Sequence, residues 1–323
     1  MNIINYYIRE HRGRKDMLEF PEKFFEDEER EGFFVEEMMK RAWAAQMKVL
    51  QEIGRICKKY DITYFADSGT LLGAVRHRGF IPWDDDIDIA MKPCDYRRFL
   101  KVAETELPEG WKLLSLHTHD EYTEIFARVV NSNKINGSPE WLKEWYGCPF
   151  AVGVDIFPLN YMPTDEEEVQ LQKNLYVIVK NAKALCEKHT EEAEKLLKSV
   201  EELCGATLDR SGNLKKQLAM LMEGICTMYD DEAEGNITMM DTFSRKSFCR
   251  IPQEAYAGTV SMMFEGMQIP VPIGWDMVLK AEYGEDYMTP MRGGQKHDYP
   301  FYKKQLKNVS KKRGNSYEVT PKS

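Results

Sequence analysis

The sequence predicts an α+β protein in which short strands and helices share the chain and a long helical insertion interrupts them. Three observations carry this. Asp86-Ile87-Asp88-Ile89-Ala90-Met91 alternates polar and apolar side chains with period two, as a strand with two unlike faces does. Ile62 to Ala66 and Val152 to Pro158 are short runs of β-branched and aromatic residues bounded by turn formers. From Thr164 to Asp231 the composition shifts abruptly to charged, helix-forming sequence.

Taken in order, the elements begin after a polar, irregular stretch that ends in acidic Glu26 to Glu31. Met39, Trp43, Met47, Leu50, Ile53 and Cys57 recur every three or four residues, which predicts a helix with one buried face. Lys58 and Lys59 sit at its C-terminal end, where the helix dipole favours cations. A strand over Ile62 to Ala66 is broken by Asp67-Ser68-Gly69-Thr70, and Leu71 to His77 reads as a short helix. Gly79 to Trp83 is a loop, because Pro82 disfavours helix at Ile81. Asp95 to Ala103 is helical, Trp111 to Leu116 and Glu124 to Val130 are strands, and the strand Val152 to Pro158 is closed by its proline.

Thr164 and Glu167 have the spacing of a capping box, with helix through Lys183 and on to Val200. A second helix is expected over Leu214 to Tyr229. Phe264 to Pro272 reads as a hairpin with edge-strand prolines, followed by a helix over Trp275 to Tyr283 and a basic, disordered tail from Lys311. The implied organisation is an N-terminal extension (1–32), a core (33–163), a helical insertion (164–231), a segment completing the core (232–310) and a tail (311–323).

With 43% hydrophobic and 30% charged residues, 323 residues can bury a substantial core in one or two domains. A net charge of -9 removes the basic footprint that a nucleic-acid partner requires. Seven scattered cysteines with no CxxC pair read as reduced thiols, not as a zinc site. No segment approaches the ~20 apolar residues of a membrane span, and Met1 to Lys15 lacks the apolar core of a signal peptide. The expectation is a cytoplasmic protein without stable membrane insertion.

The chemistry concentrates in Asp84-Asp85-Asp86-Ile87-Asp88. On a strand, Asp86 and Asp88 project from one face about 7 Å apart, and paired carboxylates suit Mg²⁺, which prefers oxygen ligands and substrate phosphates. Asp155, an acid between Val154 and Ile156, is the candidate third acid from a neighbouring strand. A solvated acidic turn is the plainer reading, but Ile87 and Ile89 interleave the acids. A calcium loop would need Gly where Ile89 stands and Glu where Asp95 stands.

Ser68-Gly69-Thr70, between strand and helix, makes an anion-binding corner. Arg76 and His77 could contact a diphosphate or hold Asp84, although His77 could equally be a structural hydrogen-bonder at a helix end. Arg128, a charge inside an apolar strand, could clamp donor phosphates, the favoured role, or pair with one of the aspartates. Trp141, Trp145 and Tyr146 could cage a quaternary ammonium, though ordinary core is the better reading, and His297 reads as a surface histidine.

The run Tyr64-Phe65-Ala66-Asp67-Ser68-Gly69-Thr70-Leu71-Leu72-Gly73-Ala74-Val75-Arg76-His77-Arg78-Gly79-Phe80-Ile81-Pro82-Trp83-Asp84-Asp85-Asp86-Ile87-Asp88-Ile89 resembles the signature of the LicD family, which is related to fukutin. The likeness extends more loosely to Asp95 to Phe99, Arg128, Asp155 to Leu159, Tyr283 to Met288 and Pro290. The resemblance implies a nucleotidyltransferase-like mixed sheet flanked by helices. It also implies transfer of phosphocholine, or in the fukutin branch ribitol phosphate, from a CDP-linked donor to a glycan hydroxyl. By matching, Asp86 and Asp88 would be the metal-binding pair and Asp155 the third acid. Asp84 would be a ligand or its support, and Gly69-Thr70 would sit at the nucleotide phosphates. The expected function is therefore Mg²⁺-dependent (or Mn²⁺-dependent) transfer of phosphocholine from CDP-choline to a cell-surface glycan or its precursor. Nucleotidyl transfer by the same fold and a non-catalytic, metal-stabilised scaffold are the rivals.

Overall fold

The computed structural model describes residues 18–188, 190–239, 249–292 and 299–311. The turn holding His297 and the tail beyond Lys311 lie outside the described residues.

The stretch expected to be irregular holds a small antiparallel ribbon of β1 (Glu28–Arg30) and β2 (Phe33–Val35). Helix α1 (Glu37–Tyr60) then buries Met39, Trp43, Met47, Leu50, Ile53 and Cys57 as its spacing predicts, but from Ala42 to Leu50 it is buried on every side and not on one face alone. Next come β3 (Phe65–Ala66), α2 (Ser68–Arg76), β4 (Asp88–Met91) and α3 (Pro93–Glu106). They are followed by β5 (Lys112–Leu114), β6 (Ala127–Val130), α4 (Pro139–Glu144) and β7 (Gly153–Tyr161).

The strands form a mixed sheet in the order β3-β4-β7-β6-β5, with β4 and β7 parallel and the other neighbours antiparallel. Ile87, Ile89, Val129, Val154 and Ile156 are fully buried in it, and α1 packs against β7. An α+β fold with a mixed sheet flanked by helices is thus the observed architecture.

Two strand boundaries differ from expectation for physical reasons. The ladder of β4 starts at Asp88, not Asp86, because pairing with β3 reaches only Ile89 and the Asp88 N–H goes to Thr70 Oγ1 at 2.9 Å. One further bond between the strands, from Asp155 N–H to Ile87 O at 3.0 Å, reaches upstream. Conversely, β7 does not stop at Pro158. Its last pair with β6 is at Ile156 and its first with β8 (Asn236–Met239) is at Leu159, so Pro158 has a ladder partner only in the parallel β4, where it stands opposite Met91.

The segment expected as a helical insertion holds three helices, with α5 (Glu166–Leu185), α6 (Glu191–Cys204) and α7 (Leu214–Cys226) sharing a core of Val169, Tyr176, Val179, Leu197, Val200 and Leu218. The α5 cap is Asp165 and not Thr164: its carboxylate accepts the N–H groups of Glu167 (2.8 Å) and Glu168 (3.1 Å). The helix expected to run to Val200 breaks before Thr190, whose hydroxyl caps α6 by accepting the Ala193 N–H.

Asp230 fastens the end of this insertion to β7. It is buried and accepts Asn160 Nδ2–H (2.8 Å) and the Tyr161 N–H (3.0 Å). Loss of hydration nevertheless lifts its carboxyl from 3.8 to about 6. The folded state therefore holds this proton more tightly than the unfolded chain does. The stability that results is complete below the unfolded value and is lost as pH rises through about 6. In chemical denaturation, wild type should lose about 3 kcal/mol relative to Asp230→Asn between pH 3.5 and pH 7. A wild-type-to-variant difference that stays flat over that range would remove Asp230 as the titrating anchor.

Beyond β8, β9 (Ile251–Pro252) pairs with it, and β10 (Thr259–Phe264) and β11 (Met267–Pro272) form the hairpin. Its turn residues Glu265 and Gly266 have φ of 46° and 84°, the positive values that match the twist of a two-residue hairpin. The Glu265 carboxylate accepts from Arg30 Nη1 (2.6 Å) and the Phe80 N–H (3.2 Å), so the tip braces the loop ahead of the acidic run. Helices α8 (Trp275–Tyr283) and α9 (Tyr302–Lys311) follow. Among the described residues no helix is long and apolar enough to cross a membrane.

Candidate active site

The centre of the site is the start of the parallel pair. Asp88 and Asp155 are register partners across β4 and β7, and Asp86 lies in the chain that runs into β4. Asp84 ends a turn whose N–H reaches back to Ile81 O at 2.9 Å. The beginning of α2 packs over this turn. A Cβ at residue 69 would collide with Asp84 Oδ2, so glycine is required there for the carboxylate to approach. The sequence reading had Gly69 opening space for a phosphate; in the structure the group that uses the space is Asp84. Thr70 is buried and spends its hydroxyl on the Asp88 N–H, so it aligns the strand instead of facing outward. Ser68 opens the helix with φ of 47° and is half-buried.

The electrostatics single out three of the acids. Desolvation pushes the Asp84 and Asp88 carboxyls well above their usual range, and in both cases the nearby Asp86 charge is the next cause. Asp88 also feels Asp155, Asp84 and Asp67. By distance alone the grouping is different: Asp84, Asp85 and Asp86 each offer an oxygen, all within 4.8 Å of one another. Asp85 is nonetheless a structural acid. It is fully buried, one of its carboxylate oxygens accepts the Phe301 N–H, and its main-chain oxygen accepts Gln46 Nε2–H at 2.8 Å. Its charge still acts on Asp84 after that of Asp86, while Asp88 responds to Asp86, Asp155, Asp84 and Asp67.

Asp155 stands apart from them in one respect. Arg128, its partner across β6 and β7, donates Nε–H to one oxygen and Nη2–H to the other, a fork that neutralises the carboxylate. Of the two roles read for Arg128 from sequence, pairing with an aspartate is the one present. The guanidinium edge with which a phosphate clamp would grip its ligand holds Asp155 instead.

Arg76 and His77 also differ from expectation. Arg76 Nη1–H donates to Tyr287 O at 2.7 Å, and His77 Nε2 lies 3.2 Å from Glu31 Oε2. Both sit at the C-terminal end of α2, roughly 12 Å along the axis from its first residue. They brace that end against the β1–β2 turn and the chain after α8, and they do not hold Asp84. Burial and the Arg76 charge push the His77 imidazole down, towards its neutral form. Trp141 and Trp145 stack at 5.2 Å, with Lys48 Nζ 4.2 Å over the Trp145 ring, and Tyr146 packs on Phe20 and Phe25. Trp145 is core with Trp141 packed against it, Tyr146 is half-buried, and the cation on Trp145 is the protein's own Lys48.

Two residues belong to the site that the sequence did not single out. Asp67 is buried, donates its N–H to Asp88 O at 3.1 Å, and adds to the field on Asp88. Tyr283, at the end of α8, is 42% exposed, yet its hydroxyl is pushed up by desolvation and then by Glu282, Asp67, Asp84 and Asp88. Adjacency of Asp67 to the Ser-Gly-Thr corner was an available signal. For Tyr283, nearly 200 residues downstream, the available signal was its place at the start of the Tyr283 to Met288 stretch that resembles the LicD family.

Comparison with known proteins places this geometry. Residues 61–174 match the family described as LicD/FKTN/FKRP, nucleotidyltransferase domain. The lipopolysaccharide cholinephosphotransferase LicD of Haemophilus influenzae is 25% identical over 252 residues, covering 77% of this chain and 91% of that protein. An uncharacterized protein of Rickettsia prowazekii is 48% identical over 117 residues, 35% of this chain and 44% of its own length. One from Rickettsia typhi is 36% identical over 66 residues, 20% of this chain and 21% of its own. The matched span contains Asp67, Asp84, Asp86, Asp88, Arg128 and Asp155, so the acids of the site lie within a segment that matches the LicD family's nucleotidyltransferase domain.

Proposed function

We propose that this phosphotransferase moves phosphocholine from CDP-choline to a hydroxyl of a cell-surface glycan or its precursor. The observation that carries the proposal is the convergence of Asp84, Asp86 and Asp88 where β4 begins, each repelling the others in a desolvated setting. Such a set costs stability by itself, and it is a good oxygen donor set for a hard divalent cation. The residues therefore fit Mg²⁺ or Mn²⁺, with Asp86 and Asp88 as the pair, Asp84 beside them and Asp155 as the adjoining acid. The bound ion would supply neutralisation of the donor's diphosphate charge.

The chain's own groups do the rest. The amide-rich start of α2, kept close by Gly69, favours an anion beside the acids. Thr70 fixes the strand that carries Asp88, and Arg128 fixes Asp155. In the transfer, the acceptor oxygen bonds to the choline-bearing phosphorus as the bond to the CMP oxygen breaks. CMP leaves, and the acceptor's proton passes to a carboxylate of the run. Holding donor and acceptor in line carries most of the rate gain in such a displacement.

The test is melting temperature with CDP-choline, CDP-ribitol and CTP, each with and without Mg²⁺. CDP-choline at a hundred times its dissociation constant should add about 2.7 kcal/mol of stability, and only with the metal. A larger response to CDP-ribitol would change the transferred group, and pyrophosphate released from CTP would make the enzyme a nucleotidyltransferase. No response to any cytidine nucleotide would end the proposal.

A further inference from the structure

Three aromatic side chains from separate parts of the chain meet beside the acidic run. Phe33 of β2 lies 6.2 Å from Trp83 and 5.3 Å from Tyr299, both edge to face. Tyr299 also reaches the loop itself, donating its hydroxyl to Pro82 O at 3.4 Å. None of the three is fully buried, and Trp83 directly precedes Asp84. A cation already rests on the rings. The Arg292 guanidinium carbon is 5.3 Å from the Trp83 centroid and 6.0 Å from that of Phe33. Arg292 is exposed, and its Nη2–H donates to the main-chain oxygen of Glu31.

A positive charge on two ring faces shows that this corner attracts cations. An arginine does not need such a corner, since it can satisfy its donors in water or on carboxylates. A quaternary ammonium has no N–H to donate, and aromatic faces are the partners left to it. In phosphocholine that ammonium is joined to the phosphate by a two-carbon link, so a phosphate handled by Asp84 to Asp88 puts it among the immediate neighbours of the run. Trp83 is such a neighbour. We propose that Phe33, Trp83 and Tyr299 form the subsite for the quaternary ammonium head of the transferred group, and that Arg292 is a resident cation which this head displaces. The assignment rests on phosphocholine being the transferred group, and it supplies the selectivity that the acidic run lacks, because carboxylates and a metal treat all CDP-alcohols alike.

The experiment has two arms. In the first, calorimetry with Mg²⁺ gives the preference for CDP-choline over CDP-glycerol as a ratio of dissociation constants. Trp83→Leu should cut that ratio about tenfold, which is about 1.4 kcal/mol. Trp83→Phe should keep part of it, and Arg292→Ala should raise it by removing the competitor. If Trp83→Leu fails to fold, Arg292→Ala, an exposed site, decides the matter alone. In the second arm, the Trp83 indole N–H resonance, assigned by its absence in Trp83→Phe, is followed during titration with tetramethylammonium chloride. It should move with that salt and not with sodium chloride at equal ionic strength. An unchanged ratio in all variants, with an indole resonance that ignores tetramethylammonium, overturns the subsite and leaves the transfer intact. A resonance that responds in a protein that binds no CDP-alcohol keeps the cation subsite and removes the transfer.

Discussion

Asp88→Asn should lower phosphocholine transfer about a thousandfold without lowering the melting temperature of the metal-free protein. Asn occupies the same volume, and the bonds that set the backbone here survive the change: Thr70 Oγ1 still accepts the residue 88 N–H, and its carbonyl still accepts from Asp67 N–H. What disappears is one negative charge from a desolvated set. The Asp88 carboxyl titrates well above its ordinary value in the folded chain, first through burial and then through Asp86. Its ionisation therefore works against folding, and that penalty grows as pH rises through the raised folded value. A neutral side chain removes the penalty, so the metal-free variant should melt at or above wild type at pH 7, with the gap closing towards pH 4. Mg²⁺ should then stabilise wild type more than the variant. The thousandfold figure is a charge interaction of about 4 kcal/mol at the reacting phosphate, the scale of a lost metal ligand. Opposite signs in activity and stability are the mark of a residue kept for chemistry. A variant that loses stability and activity together would make Asp88 a structural acid instead.

The contrast among these aspartates shows how far sequence reasoning reaches. Period two located β4, because alternation is a local property that any strand must obey, but the shared direction it predicts for Asp86 and Asp88 needs both on the strand, and Asp86 lies just ahead of it. Alternation did not fix where pairing begins, since that depends on the length of β3 and on a threonine hydroxyl eighteen residues upstream. Asp155 stood out as a lone acid between apolar neighbours, and the mixed sheet explains it twice, as the partner of Asp88 on one side and of Arg128 on the other. Sequence could demand a counter-charge for Arg128 but could not choose between substrate and carboxylate, because strand order β4-β7-β6 is a tertiary fact. Likewise Gly69 was recognisable as a site of close approach, whereas the approaching group, Asp84, became visible only when the turn folded back over α2. Arg76 and His77 were misplaced for a simpler reason. Nearness in sequence to the corner hid the fact that a helix carries them to its opposite end.

Arg128→Met should cost about 3 kcal/mol of folding stability, measured by chemical denaturation, because it strips the guanidinium from a carboxylate that is itself buried. Burial alone would push the arginine towards losing its proton, yet the Asp155 charge and hydrogen bonds hold it fully protonated. The pair is thus strongly coupled, and removing one member leaves the other's desolvation uncompensated. Arg128→Met with Asp155→Asn should recover much of the loss, since two neutral side chains need no counter-charge. A phosphate clamp makes a different forecast: Arg128→Met would raise KM for the donor and leave denaturation unchanged. If Asp155 serves the metal as well as Arg128, the double variant will be stable yet inactive. Restored folding with absent turnover would show that the Asp155 carboxylate serves the reaction as well as the pair with Arg128.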